Sequence, residues 1–164
     1  SVFIIIGLLF SFGGDMALMY RHKNSMFRLG LVSFLLAHVV YTVAFSFYAG
    51  FSRHDITAGL VMAVAAVCMF LYLKSGLEGM MAPVVMYILI ISFMVVKAYT
   101  LFYAPAFGKT QAAVVMAGAL LFYVSDVILA VARFKIPFRY NRISLAFYYS
   151  GQFLIALSCH MFAP

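Results

Sequence analysis

Apolar runs of about twenty residues follow one another along the chain, each closed by a short polar or turn-forming break. A run of about 20 apolar residues is what an α-helix needs to cross a hydrocarbon core about 30 Å thick. The pattern predicts helices at 2–20, 27–48, 56–73, 82–103, 110–131 and 142–162. Arg21 to Ser25 ends the first run and Gly50 to Asp55 the second. Lys74 to Gly79, followed by Pro83, separates the third from the fourth, and Ala104-Pro105 closes the fourth. The expected fold is all-α, a polytopic transmembrane helix bundle of about six helices in a single domain over 1–164.

The polar positions inside these runs carry a second pattern. Gly118 to Arg133 is an apolar stretch with one carboxylate, Asp126, and the same arrangement occurs 111 positions earlier. Gly7 falls on Gly118, Leu9 on Leu120, Asp15 on Asp126 and Leu18 on Leu129. Asp15 to His38 and Asp126 to Tyr149 both span 23 residues, so the first two and the last two helices read as related hairpins. An ionised carboxylate at the centre of a membrane helix costs about 2.5–3.5 kcal/mol even on lenient scales, which makes such a residue a functional candidate.

Helical spacing places the remaining polar groups. The first helix sets Gly7, Ser11 and Asp15 on one face beside Gly14, and the second carries His38, Tyr41, Thr42 and Phe45 on one face. The third is apolar all round, with a small-residue side of Gly59, Ala63 and Ala66 that predicts packing. In the fourth, Lys97 lies near Tyr99, Thr100 and Tyr103; its long stem is expected to snorkel to the outer interface, with the tyrosines in the aromatic belt. The fifth has Tyr123 and Arg133 on the Asp126 face. The sixth has a stripe of Asn141, Ser144, Tyr148 and Gln152, with Tyr149 adjoining and His160 two turns beyond.

Composition removes other classes. Residues of the apolar set make up 67% of the chain and charged residues 9%, with a mean hydropathy of +1.11, whereas soluble domains are about 45–50% apolar and about 25% charged. A net charge of +7 does not point to nucleic acid, because the cations follow the loops. Arg21, Lys23, Arg28, Lys74, Arg133, Lys135, Arg139 and Arg142 lie on one side, and Arg53 and Lys109 on the other; eight against two puts the first set in the cytoplasm. Membrane lipids are the expected surroundings, in a bacterial inner membrane or a eukaryotic endomembrane. Cys68 and Cys159 lie within apolar runs and form no metal or disulfide spacing. Ser1 opens directly into an apolar run without a basic leader, so the chain reads as a piece of a longer one. No nucleotide loop or GxSxG elbow occurs, so no cofactor is expected, and no position specifies an oligomeric state.

Phe10-Ser11-Phe12-Gly13-Gly14-Asp15, His38-x-x-Tyr41, Gly118 to Ser125-Asp126, and Tyr148-Tyr149-x-x-Gln152 resemble the YhhN family of integral membrane proteins, whose characterised members are lysoplasmalogenases. The resemblance covers nearly the whole chain. Family members have about eight membrane helices, and this chain resembles them from the third onward; Lys97 is no part of the pattern. The resemblance implies hydrolysis of the vinyl-ether bond of a lysoplasmalogen, releasing a fatty aldehyde and glycerophospho-ethanolamine or glycerophospho-choline.

A vinyl ether is cleaved by protonating the carbon beta to oxygen, adding water to the resulting oxocarbenium ion and letting the hemiacetal collapse. The acid must hold its proton at neutral pH, and both burial and a second carboxylate nearby favour the protonated form. The expected catalytic residues are Asp126 as acid, Asp15 as the ionised partner that stabilises the oxocarbenium, and His38. Tyr41, Tyr123, Tyr148, Tyr149 and Gln152 are the expected substrate-binding residues, orienting water or holding the glycerol oxygens. The phosphate would lie near Arg21, Lys23, Arg133, Lys135 or Arg139, unless these cations serve only topology and lipid head groups. Two other readings stay open. A small proton-coupled carrier would use the same aspartates in an internal repeat, and a metal-dependent hydrolase would use Asp15, Asp126, His38 and His160, although no HExxH or HxxxH spacing occurs.

Overall fold

The computed structural model describes residues 2–20, 24–77, 79–136 and 141–160. Among these it is helical throughout, with no strand: α1 Val2–Met19, α2 Asn24–Ala49, α3 Arg53–Leu73, α4 Met81–Thr100, α5 Lys109–Phe134 and α6 Asn141–His160. Single 3₁₀ turns, Lys74–Gly76 and Leu101–Tyr103, prolong α3 and α4. The α2–α3 corner shows the local causes. Gly50 takes φ +61° just past α2, where only glycine enters the left-handed region at no steric cost. Ser52 then donates its backbone N–H to Asp55 Oδ2 at 2.6 Å, which starts α3.

The helices α1 to α5 are long and apolar enough to cross a membrane. The 20-residue α6 carries the polar stripe read from the sequence, which dilutes its hydropathy.

The two hairpins, α1 with α2 and α5 with α6, do not form the bundle alone. Helix α4 packs between α2 and α5, α1 touches α6, and α3 lies outside against α4. Five helices thus surround a core built from both repeats. Phe34, Phe122 and Tyr148 meet edge to face with centroids 5.2–6.3 Å apart, and His38 stands against Phe122 at 4.5 Å. Such aromatic edge contacts add about 0.5–1.5 kcal/mol each beyond the area they bury. Tyr41 and Gln152, 111 positions apart and so equivalent in the two hairpins, bond to each other, Tyr41 Oη donating to Gln152 Oε1 at 2.7 Å. Equivalent positions meet in this way only near the axis relating the two copies.

Close approach within the hairpins depends on missing side chains. A Cβ at Gly118 would lie 2.9 Å from the Gly151 carbonyl, and one at Gly151 would lie 2.8 Å from that of Gly118. The α5–α6 interface is therefore a backbone-to-backbone contact.

Two sequence expectations are corrected. The small side of α3 is not a packing face: Ala66 is buried, but Ala63 is exposed and nothing lies within 4 Å of a Cβ on Gly59. Lys97 does not snorkel. It is 0% exposed, with Nζ 2.6 Å from the Gly50 carbonyl, 2.8 Å from Asp55 Oδ1 and 4.0 Å from the Phe51 ring centroid. The α2–α3 corner folds over α4 and supplies a carbonyl, a carboxylate and an aromatic face, so the ammonium finds its partners inside.

Candidate active site

Asp15 on α1 and Asp126 on α5 line one cavity of about 600 Å³, walled also by Phe34, Ser125, Ser144 and Tyr148, with the exposed Phe12 and Tyr149 at its rim. The helices α1, α2, α5 and α6 contribute to it, which are the helices of the repeat. Asp126 also borders a narrower apolar crevice of about 50 Å³ toward α3 and α4, shared with Leu73, Tyr87, Ile88 and Tyr123.

The two carboxylates have related but unequal surroundings. Asp15 Oδ2 accepts from Tyr148 Oη at 2.9 Å. Asp126 Oδ2 accepts from Tyr87 Oη at 2.6 Å and lies 3.5 Å from Nε2 of His38, whose side chain is fully buried. The other ring nitrogen of His38, Nδ1, is 2.6 Å from the Phe34 carbonyl. A carbonyl only accepts, so Nδ1 carries the hydrogen of that bond and a neutral ring turns the Nε2 lone pair toward Asp126. Nε2 has no hydrogen-bond partner among the described residues. Two facing lone pairs repel, so the Asp126–His38 pair is satisfied when it holds one proton, on Oδ2 or on Nε2.

The helix spacing that aligns these groups is local. The rise of α2 puts Phe34, His38, Tyr41 and Thr42 on one inward face, all buried. Ser125 and Ser144 lock α5 to α6 beside Asp126, Ser144 Oγ donating to the Ser125 carbonyl at 3.0 Å and Ser125 Oγ to the Ser144 carbonyl at 2.9 Å. Ser33, which the repeat matches to Ser144, ties its own hairpin by donating to the Phe10 carbonyl at 2.6 Å. Gly14 leaves room for the Phe34 ring, whose atoms lie 2.7 Å from where a Cβ would be.

Of the sequence-predicted binding residues, Tyr148 and Tyr149 line the cavity with Asp15, and Tyr123 lines the crevice. Tyr41 and Gln152 lie elsewhere, in a buried chain in which Tyr41 bonds Gln152 and Gln152 Nε2 donates to Ser11 Oγ at 2.7 Å. Arg133 Nη2 donates to Asn24 Oδ1 at 2.7 Å and Lys135 Nζ to Ser75 Oγ at 2.6 Å, so each ties helix ends together. Arg21, Lys23, Arg139 and the side chain of Asn141 lie outside the described residues. His160 ends α6 and lines neither space, and no three of the described His, Cys, Asp or Glu side chains gather as a metal group. Sequence reasoning missed Tyr87. It belongs to neither repeat, and the one available signal was a single hydroxyl in the otherwise apolar first half of α4.

Long apolar helices, an internal hairpin repeat and two partly buried aspartates on one cavity define a polytopic membrane protein. The chain belongs to the YhhN family, whose profile matches residues 1–159. It is 34% identical over 158 residues to lysoplasmalogenase TMEM86A of Bos taurus and 33% identical over 158 residues to lysoplasmalogenase TMEM86A of Homo sapiens. Both matches cover 94% of this chain, which spans 64% of the length of these relatives. No solved structure matches it.

Proposed function

We propose that this chain forms the catalytic bundle of a membrane hydrolase that cleaves the vinyl-ether bond of lysoplasmalogen, giving a fatty aldehyde and glycerophospho-ethanolamine or glycerophospho-choline. The observation that carries the reading is the shared cavity with two unequal aspartates, one of them paired with a buried imidazole. The similarity to proteins named lysoplasmalogenase supports the substrate class.

In this reading Asp126 gives its proton to the beta carbon of the vinyl ether, leaving an oxocarbenium ion. Asp15, ionised, stabilises that cation and takes a proton from the water that adds to it. The hemiacetal then breaks its bond to the glycerol oxygen, which receives that proton from Asp15 and leaves as the alcohol, while the hemiacetal hydroxyl gives its proton back to Asp126 as the aldehyde forms. The two carboxyl groups divide acid and base roles as in glycoside hydrolysis. Tyr148 holds the Asp15 carboxylate and Tyr149 faces the entering lipid, whose chain enters from the bilayer between α1 and α6. The cytoplasm lies at the basic end, where Arg28, Lys74, Arg133 and Lys135 gather.

Aldehyde release by the full-length protein in detergent tests this, comparing a vinyl-ether lysolipid with its saturated-ether analogue. Release from the vinyl ether alone, reduced at least about 100-fold by Asp126→Asn and by Asp15→Asn, is the expected result, the scale of losing an acid or base. No aldehyde from well-folded protein would return the proton-coupled carrier to first place, with uptake into vesicles as its assay.

A further inference from the structure

We propose that Tyr87 is a positioning residue for Asp126, holding the carboxyl and its partner imidazole His38 while the carboxyl gives up its proton. This rests on the hydrolase reading above and adds a residue from outside the repeat.

The hairpins are built alike, but they do not offer the two aspartates the same partners. Each carboxylate receives one tyrosine hydroxyl at Oδ2, Tyr148 for Asp15 and Tyr87 for Asp126. The two tyrosines are not equivalents. Tyr148 belongs to the second hairpin, while Tyr87 comes from α4, which the repeat does not contain and which packs between α2 and α5. Tyr87 also touches the other member of the acid–base pair, its ring standing edge-on to His38 with centroids 5.3 Å apart and planes at 75°. The position equivalent to His38 is Tyr149, which is 56% exposed and provides no buried base for Asp15. One side chain therefore contacts both the carboxyl and the imidazole at Asp126.

The consequence for proton transfer follows from which oxygen is engaged. Oδ2 accepts from Tyr87 at 2.6 Å and faces His38 Nε2 at 3.5 Å, so the one proton of the Asp126–His38 pair lies beside the Tyr87 hydroxyl. When that proton leaves the Asp126 carboxyl and forms a C–H bond at the beta carbon, its electron pair stays on the carboxyl, Oδ2 included. The Tyr87 hydroxyl then donates to a carboxylate instead of a neutral acid. Charge-assisted hydrogen bonds are roughly twice as strong as neutral ones, so the contact tightens in the transition state and acts on kcat rather than on binding. Reprotonation of the Asp126–His38 pair by the hemiacetal hydroxyl, as the aldehyde forms, closes the cycle.

The test is steady-state aldehyde release by the full-length protein reconstituted with vinyl-ether lysolipid. Tyr87→Phe keeps the ring against His38 and removes only the donor. It is expected to lower kcat about ten- to thirty-fold with KM within about twofold of wild type, the split that a transition-state contact produces. The solvent deuterium isotope effect on kcat is expected to rise, because proton transfer becomes slower relative to the other steps. A purely structural tyrosine would change folded fraction and leave kcat per folded molecule and its isotope effect alone. Fluorotyrosines at position 87 keep the ring and vary hydroxyl acidity, so they carry the test if the phenylalanine variant does not fold; kcat following donor strength at fixed KM supports the inference. Wild-type kcat in Tyr87→Phe, or a flat fluorotyrosine series, overturns it. Full activity in Asp126→Asn would overturn the hydrolase assignment and this inference together; an inactive Asp126→Asn beside a normal Tyr87→Phe removes the Tyr87 inference alone.

Discussion

Replacing Lys97 with methionine removes a buried ammonium whose partners are all accounted for. Nζ sits 2.8 Å from Asp55 Oδ1, a separation at which the gross attraction is about 6 kcal/mol with an effective dielectric constant near 20. Much of that is offset by desolvation, and deleting one member of a buried pair costs about 3–5 kcal/mol because the other charge stays uncompensated. The Asp55 side chain is 12% exposed and keeps its bond from the Ser52 N–H, which places the loss near the lower end, about 3 kcal/mol. Losing the hydrogen bond to the Gly50 carbonyl adds about 1 kcal/mol. The measurement is reversible unfolding in mixed detergent micelles for wild type, Lys97→Met, Asp55→Asn and the double variant. The double variant should be more stable than Lys97→Met alone, with a coupling of about 2 kcal/mol or more, as expected of contacting groups. Lys97 is no wall of either cavity, so aldehyde release by the folded fraction should be unchanged. A loss below about 1 kcal/mol with no coupling is what an exposed pair gives, and it would refute the buried-staple argument in favour of a lysine reaching the interface.

Two other perturbations separate packing from chemistry. Tyr41→Phe breaks the bond to Gln152 at the meeting point of the hairpins and should cost about 0.6–1.7 kcal/mol in the same unfolding assay, the range of interhelical bonds in membranes, with a shift in KM of less than about threefold. A large rise in KM would instead make Tyr41 a substrate contact. Gly118→Val drives side-chain atoms into the Gly151 carbonyl and Ile155, so α5 and α6 must separate; a loss of about 1–3 kcal/mol and reduced aldehyde release together are expected, whereas a neutral effect in both would contradict the close approach.

What the sequence determined by itself is what depends on one segment at a time. The length and hydropathy of each run set six helices, and α5 and α2 begin and end within three residues of the predicted bounds because loops of charged, glycine and proline residues interrupt them. The shift of 111 positions marked the two hairpins, and cost in hydrocarbon marked Asp15 and Asp126, which do come to one cavity. Tertiary structure decided which groups face those carboxylates and which helix stands between the hairpins. Lipid tails are as apolar as leucine, so an apolar face buried in protein and one bathed in lipid have the same composition. Hydropathy therefore could not tell central α4 from peripheral α3, though α4 buries Ile91, Met94 and Val95 while α3 exposes Val61, Val64 and Val67. Nor could it tell that Lys97 would meet Asp55 across 42 positions, or that Tyr87 would reach Asp126 across 39. Those pairings depend on how the helices pack, and single-helix patterns hold no record of it.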